Sequence, residues 1–346
     1  MVLSVIIFIF QISTFNYVVL FTYYKLSIYY YTAMFYNYFK EMSSLFNSSG
    51  AAKVRTTQGF LSGNNNNQNK YDYLAHYLAG LLEGDGHFNV PKKLTSKSGR
   101  ARVAAIETVF ALKDRPSAEL FKSLFGGNIY ERPLKNCVRW LVQDRKSVTN
   151  IVNTINGKLR TPKINALHDM IDFLNAKGKE EEIKKLPLDN SLIGSNAWLS
   201  GFIDADGYFA IKGFTSNPKS HLGIHFQLTQ RITDRSGESL YNVMHNISKF
   251  LSVNLNKRTL SEKYEQYVVS TSNSVSNQRL IDYLNAYPLL SSKYLDFKDW
   301  VTANSIYVNK LHRDNEQYEL IRQLKENMNT KRTYFDWSHL EKNFLI

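Results

Sequence analysis

Apolar residues in the middle of the chain follow two periods. Leu78, Leu81 and Leu82 stand at i, i+3 and i+4, which is one face of a helix. Ala79 and Gly80 add a patch small enough for another backbone to approach, and Ser200 and Gly201 repeat that patch further on. Downstream of each helix, apolar and polar residues alternate over 105–112 and 223–232, the signature of half-buried strands. Amphipathic helices are predicted over 116–125 and 237–251, and further strands near 128–130, 138–143, 253–258 and 266–270. A closing helix is predicted over 147–156 and again over 276–285. The whole reads as an α+β chain of two tandem αββαββα repeats related by pseudo-twofold symmetry, with the two glycine-bearing helices packed at the centre.

The duplication carries chemistry as well as shape. Leu78-Ala79-Gly80-Leu81-Leu82-Glu83-Gly84-Asp85-Gly86 returns as Leu199-Ser200-Gly201-Phe202-Ile203-Asp204-Ala205-Asp206-Gly207. Gly86 and Gly207 are expected to end each helix, glycine being free to take positive φ. Asp85 and Asp206 then fall in the last turn, where the helix dipole disfavours negative charge. A carboxylate kept there needs a compensating cation, and a bound metal is the natural candidate. An EF-hand loop would need a third acid before its glycine, and neither copy has one.

The two nonapeptides resemble the signatures of a LAGLIDADG homing endonuclease in its single-chain, double-motif form, of the kind encoded in mitochondrial group I introns. The likeness runs from about Tyr71 to Trp337. Asp114-Arg115 ahead of Glu119-Leu120-Phe121 is matched by Asp234-Arg235 ahead of Ser239-Leu240-Tyr241, at nearly the offset of the motifs. The resemblance implies hydrolysis of DNA phosphodiesters, with Asp85 and Asp206 holding divalent ions and the carbonyls of Gly84 and Ala205 as further ligands. Magnesium suits such an all-oxygen site. Glu83 and Asp204 are expected to support structure. The resemblance also implies a lysine near each site, which makes Lys163 and Lys293 the candidates for polarising water or balancing phosphate charge. Gln230 matches a position that orients water. The first repeat has Phe110 at that offset, with Glu107 as the nearest polar substitute, so the two sites are expected to differ.

Charge agrees with a polyanionic partner. The chain has 43 Lys and Arg against 30 Asp and Glu, a formal net charge of +13. The first fifty residues hold only Lys25, Lys40 and Glu41, so nearly all the excess falls on the body. Lys212, Gln227, Thr229, Arg231, Arg139 and Gln143 alternate along the strands as candidate contacts for double-stranded DNA. They would line two curved sheets that saddle the major groove. Cys137 is the only cysteine, which excludes intramolecular disulfides and cysteine-rich zinc sites. Nothing in the chain reads as a Walker loop, a dinucleotide fingerprint or a Ser-His-Asp arrangement.

Composition divides the chain. Residues 1–62 form a hydrophobic N-terminal extension, and Met1 to Tyr24 is uncharged and long enough to span a membrane. It reads as a membrane anchor, as a signal-like segment lost in maturation, or as a leader translated from adjoining AT-rich sequence; the resemblance favours the last. Residues 63–70 read as a disordered Asn-rich spacer. Residues 71–176 are the first repeat, 177–195 a solvated charged linker, 196–308 the second repeat, and 309–346 a tail whose aromatics pack back on the second repeat. With both halves in one chain, a monomer is expected, and the Ile, Asn, Phe and Tyr bias fits a mitochondrial gene. The competing function is that of an RNA maturase assisting splicing of its own group I intron, with or without cleavage. Both acids are present, which favours the endonuclease.

Overall fold

A computed structural model describes residues 65–178, 181–213, 222–261 and 264–340; the N-terminal extension and its membrane-span expectation lie outside the described residues. The first repeat runs α1 (Asn65–Gly84), β1 (Gly86–Asn89), β2 (Ala105–Ala111), α2 (Arg115–Phe125), β3 (Asn128–Arg132), β4 (Cys137–Val142), α3 (Arg145–Ile155) and α4 (Ile164–Ala176). The second runs α5 (Trp198–Asp206), β5 (Gly207–Lys212), β6 (Gly223–Arg231), α6 (Tyr241–Phe250), β7 (Leu255–Ser261), β8 (Tyr264–Thr271), α7 (Ser274–Ala286) and α8 (Lys293–Val308), followed by α9 (Asn315–Glu326) in the tail. Each repeat therefore has the predicted αββαββα order plus one further helix, α4 or α8. The sheets are antiparallel with the same order, β1-β2-β4-β3 and β5-β6-β8-β7. Among the described residues no helix is long and apolar enough to cross a membrane.

Matching local signals set matching boundaries. Asp144 caps α3 by accepting from Ser147 N at 2.8 Å, and Asn273 caps α7 by accepting from Ser276 N at 2.9 Å. Pro116 occupies the first turn of α2, and Gly126 and Gly127, at φ 80° and 85°, turn the chain out of it into β3. The inner faces of the sheets pack on the helices. Trp140, Phe121 and Phe110 stack in the first repeat; Phe209, Phe226, Phe297 and Trp300 cluster in the second.

The centre of the molecule is the seam between α1 and α5. A Cβ added at Gly80 would fall 1.9 Å from Trp198 O, and one at Gly201 would fall 1.9 Å from Tyr77 O. Only glycine admits a facing backbone that closely. Leu78, Leu82, Leu199 and Ile203 are fully buried about this seam.

Two expectations need correction, and a third needs an addition. Gly86 and Gly207 are not at positive φ; Gly207 is extended, at φ −77°. Their glycine character serves the close turn into the strand, because a Cβ would meet Leu82 O at 2.6 Å or Ile203 O at 2.8 Å. The Asn-rich spacer is helical from Asn65, since an existing helix propagates at one hydrogen bond per residue even through poor formers. The charged linker is exposed over most of its described length, and side chains of the first repeat also pin it. Asn156 Nδ2 donates to Lys184 O at 2.7 Å, Asn175 Nδ2 donates to Ile183 O at 3.0 Å, and Arg160 pairs with Asp189 at 2.7 Å. A chain without ladder partners must find them in side chains.

Polar contacts tie the tail to the second repeat, where Arg332 pairs with Asp296 and Asp299 and Asn329 Nδ2 donates to Phe209 O at 3.1 Å. It also reaches the first repeat: Lys113 Nζ donates to Asn329 O at 3.3 Å and lies over the Phe335 ring.

Candidate active site

The close seam brings the two C-terminal ends of α1 and α5 together. Asp206 is the last residue of α5, and Asp85 follows α1 directly, its N–H donating to Leu81 O at 2.9 Å. A Cβ at Gly84 would fall 2.9 Å from Asp206 Oδ2, so the carboxylates share one small space. Desolvation raises both above the ordinary carboxylate range, and the charge of Asp206 adds to the effect on Asp85, which is pushed up to about 6. Lys293 and Lys163 pull in the other direction on both. Asp85 retains solvent access at the mouth while protein atoms crowd its other sides, so solvent screens part of this effect.

The lysines occupy positions that the sequence alone did not specify. Lys163 Nζ donates to Glu83 O at 2.7 Å, Leu82 O at 2.9 Å and Gly86 O at 3.0 Å. Lys293 Nζ donates to Asp204 O at 2.7 Å and Ile203 O at 2.9 Å. Each ammonium therefore caps the carbonyl end of one motif helix, with weaker contacts to Gly84 O at 3.5 Å and Ala205 O at 3.3 Å. Cations belong at this pole of the dipole. Burial lowers both lysine pKa values.

Glu83 and Asp204 hold these lysines in place. Glu83 accepts from Arg160 N at 3.0 Å, from Thr161 N and Oγ1 at 2.6 Å, and across the seam from Trp198 Nε1 at 2.5 Å. Asp204 accepts from Leu290 N at 2.7 Å, Ser291 N at 3.0 Å and Ser291 Oγ at 2.6 Å, and across the seam from the Tyr77 hydroxyl. The Thr161 and Ser291 hydroxyls in turn accept from the backbone N–H of Lys163 and Lys293. Burial pushes Glu83 up to about 7 in spite of these donors. Tyr77 and Trp198, three residues before the motif glycines, were not singled out by sequence reasoning. Their signal was available: an aromatic with a polar tip at the same place in both repeats.

The sites are unequal. Gln230 Nε2 donates to Asp206 Oδ2 at 2.6 Å. The register that pairs Gly207 with Leu228 and Gly86 with Thr108 makes Phe110 the counterpart of Gln230. Phe110 is buried and stacks on Phe121, so Asp85 has no such amide. Glu107 is no substitute, because it lies on the opposite face of β2, where it pairs with Arg139. A cavity of about 340 Å³ opens on the Asp85 side, lined among others by Phe110, Lys113 and Lys293.

Strand parity places the remaining candidates. Lys212, Gln227, Thr229 and Arg231 stand on the face of the second sheet away from its helices, with Tyr208 and His225. Arg139 is on the equivalent outer face of the first sheet, and Gln143 follows β4, exposed. Gln227 is held by Thr229 Oγ1 at 3.0 Å and by Arg258 at 3.3 Å.

The donor set suits a hard divalent cation. Among the described residues no group of three or more His, Cys, Asp or Glu could hold a metal. Two crowded carboxylates, both held above their ordinary pKa, would be relieved by one. Asp85 and Asp206, with the nearby carbonyls, would leave water and a bound phosphate to complete an oxygen shell.

The sequence profile described as LAGLIDADG endonuclease matches residues 78–174 and 199–304. Over 327 residues the chain is 35% identical to the intron-encoded DNA endonuclease aI3 of Saccharomyces cerevisiae, covering 82% of this chain and 79% of that protein. It is 30% identical over 159 residues to the intron-encoded RNA maturase bI4 of the same yeast, covering 46% of this chain and 22% of that protein. Its fold is similar to the crystal structure of the I-SmaMI LAGLIDADG homing endonuclease bound to cleaved DNA. The TM-score is 0.57 at 21% identity, over 75% of this chain and 98% of that one.

Proposed function

The chain belongs to the LAGLIDADG endonuclease family, and from that premise we propose that it is a site-specific DNA endonuclease that cuts both strands at an intron insertion site and so promotes intron homing. The observation that carries this reading is the meeting of Asp85 and Asp206 at the seam, with an outward-facing sheet on each side. The carboxylates would hold divalent metal, which we take to be magnesium, with the carbonyls of Gly84 and Ala205 nearby. Such an ion supplies activated water and shields the charge that develops on phosphate and leaving oxygen.

The protein's own residues set the geometry. Lys163 and Lys293 fix the carbonyl ends of the motif helices and add positive charge where phosphate would approach. Gln230 orients Asp206 and any water beside it. Lys212, Gln227, Thr229 and Arg231 on one saddle, and Arg139 and Gln143 on the other, are the proposed DNA contacts. We take residues 71–176 and 196–308 as the two working halves, so the active protein is a monomer, and we place it in mitochondria.

Incubating the full chain with intron-free target DNA and magnesium tests the reading. Double-strand cleavage at one position is expected, and Asp85→Asn or Asp206→Asn should each abolish it while binding persists. Full cleavage by either variant would refute the assignment. A second reading is favoured by the similarity to an RNA maturase: the same chain assists splicing of its intron transcript. A splicing assay with both Asp variants separates the two, because a binding role would survive them.

A further inference from the structure

The outer face of the first sheet carries an acid where a DNA-binding surface would be expected to have none. Glu107 stands on β2 opposite His87 and Leu141, and Arg139, diagonally across on β4, donates to its carboxylate. Both side chains are half-buried, 23% and 24% exposed. Among the described strand residues on this face, Glu107 is the only acid. Its chain neighbour Thr108 pairs with Gly86, which follows Asp85.

A carboxylate here is repelled by every phosphate of a docked duplex and loses its water as well. It is useful where only an acceptor will serve. In the major groove a G·C pair presents guanine N7 and O6 as acceptors beside the cytosine N4 amino donor. The Arg139–Glu107 pair presents the complement, guanidinium donors beside a carboxylate acceptor. Arg139 Nε is buried and Nη2 donates to Glu107, which leaves Nη1 and the second Nη2 hydrogen for a base edge. The ion pair holds the two groups side by side before DNA arrives.

The second sheet differs at the matched places. Gln227 pairs with Tyr208 and Ser270 as Glu107 pairs with His87 and Leu141, and Val268 takes the position of Arg139. A neutral amide there suits adenine N6 and N7.

We propose that Arg139 and Glu107 read one G·C base pair as a unit, guanine by Arg139 and cytosine by Glu107. Gln227 reads adenine at the matched position of the other half-site, so the target is not palindromic there. This rests on the DNA-cleaving function proposed above.

Selection of bound duplexes from a random-sequence library tests it. The full chain is used with calcium replacing magnesium, so that binding is read apart from cleavage. The unaltered protein should enrich G·C at one position and A·T at its symmetry mate, disfavouring other pairs there by about 10- to 100-fold. Arg139→Ala should flatten the preference at the first position alone, and Gln227→Ala at the second alone. Glu107→Gln should weaken discrimination at the first position only. Arg139→Lys keeps the charge but loses the fork, and should lose the preference as well. An unchanged preference, with affinity falling equally for all sequences, would make the pair a backbone or structural contact and overturn the proposal. Enrichment of no sequence by the unaltered protein would instead remove the endonuclease function itself, and this proposal with it.

Discussion

Gly80→Ala is the most economical perturbation of the whole arrangement, since it adds one methyl group at the seam. The new Cβ would meet Trp198 O at 1.9 Å, Phe202 N at 2.9 Å and Trp198 C at 3.0 Å. All three are backbone atoms of α5, so no side chain can rotate away. Ordinary non-bonded separation is about 3.5 Å, which leaves the carbonyl contact short by ~1.5 Å. The helices must part, and the cross-seam bonds from Trp198 Nε1 to Glu83 and from Tyr77 to Asp204 must stretch with them. Overpacking of this kind costs about 3 kcal/mol, at the upper end of the usual range. For a folded body of this size, that is a melting temperature lower by roughly 6–12 °C. The acids lie one turn beyond the contact, and a displacement of about 1 Å at reacting groups costs on the order of 100-fold in rate. Thermal melts followed by circular dichroism, paired with cleavage kinetics, read both effects. Val109→Ala, on the exposed outer face, is the control and should melt within about 0.5 kcal/mol of the unaltered protein. Unchanged melting and cleavage in Gly80→Ala would refute the close seam and every argument built on it.

Two further predictions use the electrostatics. The Asp85 carboxyl titrates near 6 in the folded protein against an ordinary 3.8, so its contribution to stability is present below about pH 4 and is lost as pH rises through 6. Metal-free Asp85→Asn should therefore melt higher than the unaltered protein at pH 8 but not at pH 4, although it cannot cleave; a lower melting point at pH 8 would contradict the crowded-acid picture. Trp198→Phe keeps the ring but removes the Nε1 donor to buried Glu83, and should lower stability by about 1.5–3 kcal/mol in urea titrations, whereas no change would show that the cross-seam bond carries nothing.

Much of this was legible in the sequence because it was written twice. The 3.6-residue spacing of Leu78, Leu81 and Leu82, the small residues beside them and the strand alternation after each motif are local patterns, and duplication filtered chance from them. Gln230 against Phe110 was likewise visible from offset alone, and the sheet register agrees. What escaped was what depends on chain entering from elsewhere. The linker is held by Asn156, Asn175 and Arg160, and nothing in its own charged residues announces those partners. The tail's reach to Lys113 is likewise a long-range contact. The motif glycines that open β1 and β5 were assigned a common reason, positive φ, when the actual one is proximity to Leu82 and Ile203, which only the turn geometry reveals.

The placement of the lysines changes the electrostatic argument most. Two acids at the carbonyl ends of two helices look like a demand for metal, yet the structure already sets an ammonium at each end. Those ammoniums satisfy the helix carbonyls first and the carboxylates only through space, for the acids remain above their ordinary pKa despite them. The helix ends are thus neutralised by the protein, and the acids are left under-neutralised. That division is what an ion-binding nuclease needs: a scaffold rigid without metal, and carboxylates that still gain from a divalent ion. It also predicts that Lys293→Met should harm folding as well as catalysis, because it strips the donor from Ile203 O and Asp204 O at once, at about 1–3 kcal/mol for each buried group left unpaired. A Lys293→Met protein as stable as the unaltered one in denaturant titrations, yet inactive, would return the lysine to a purely chemical role.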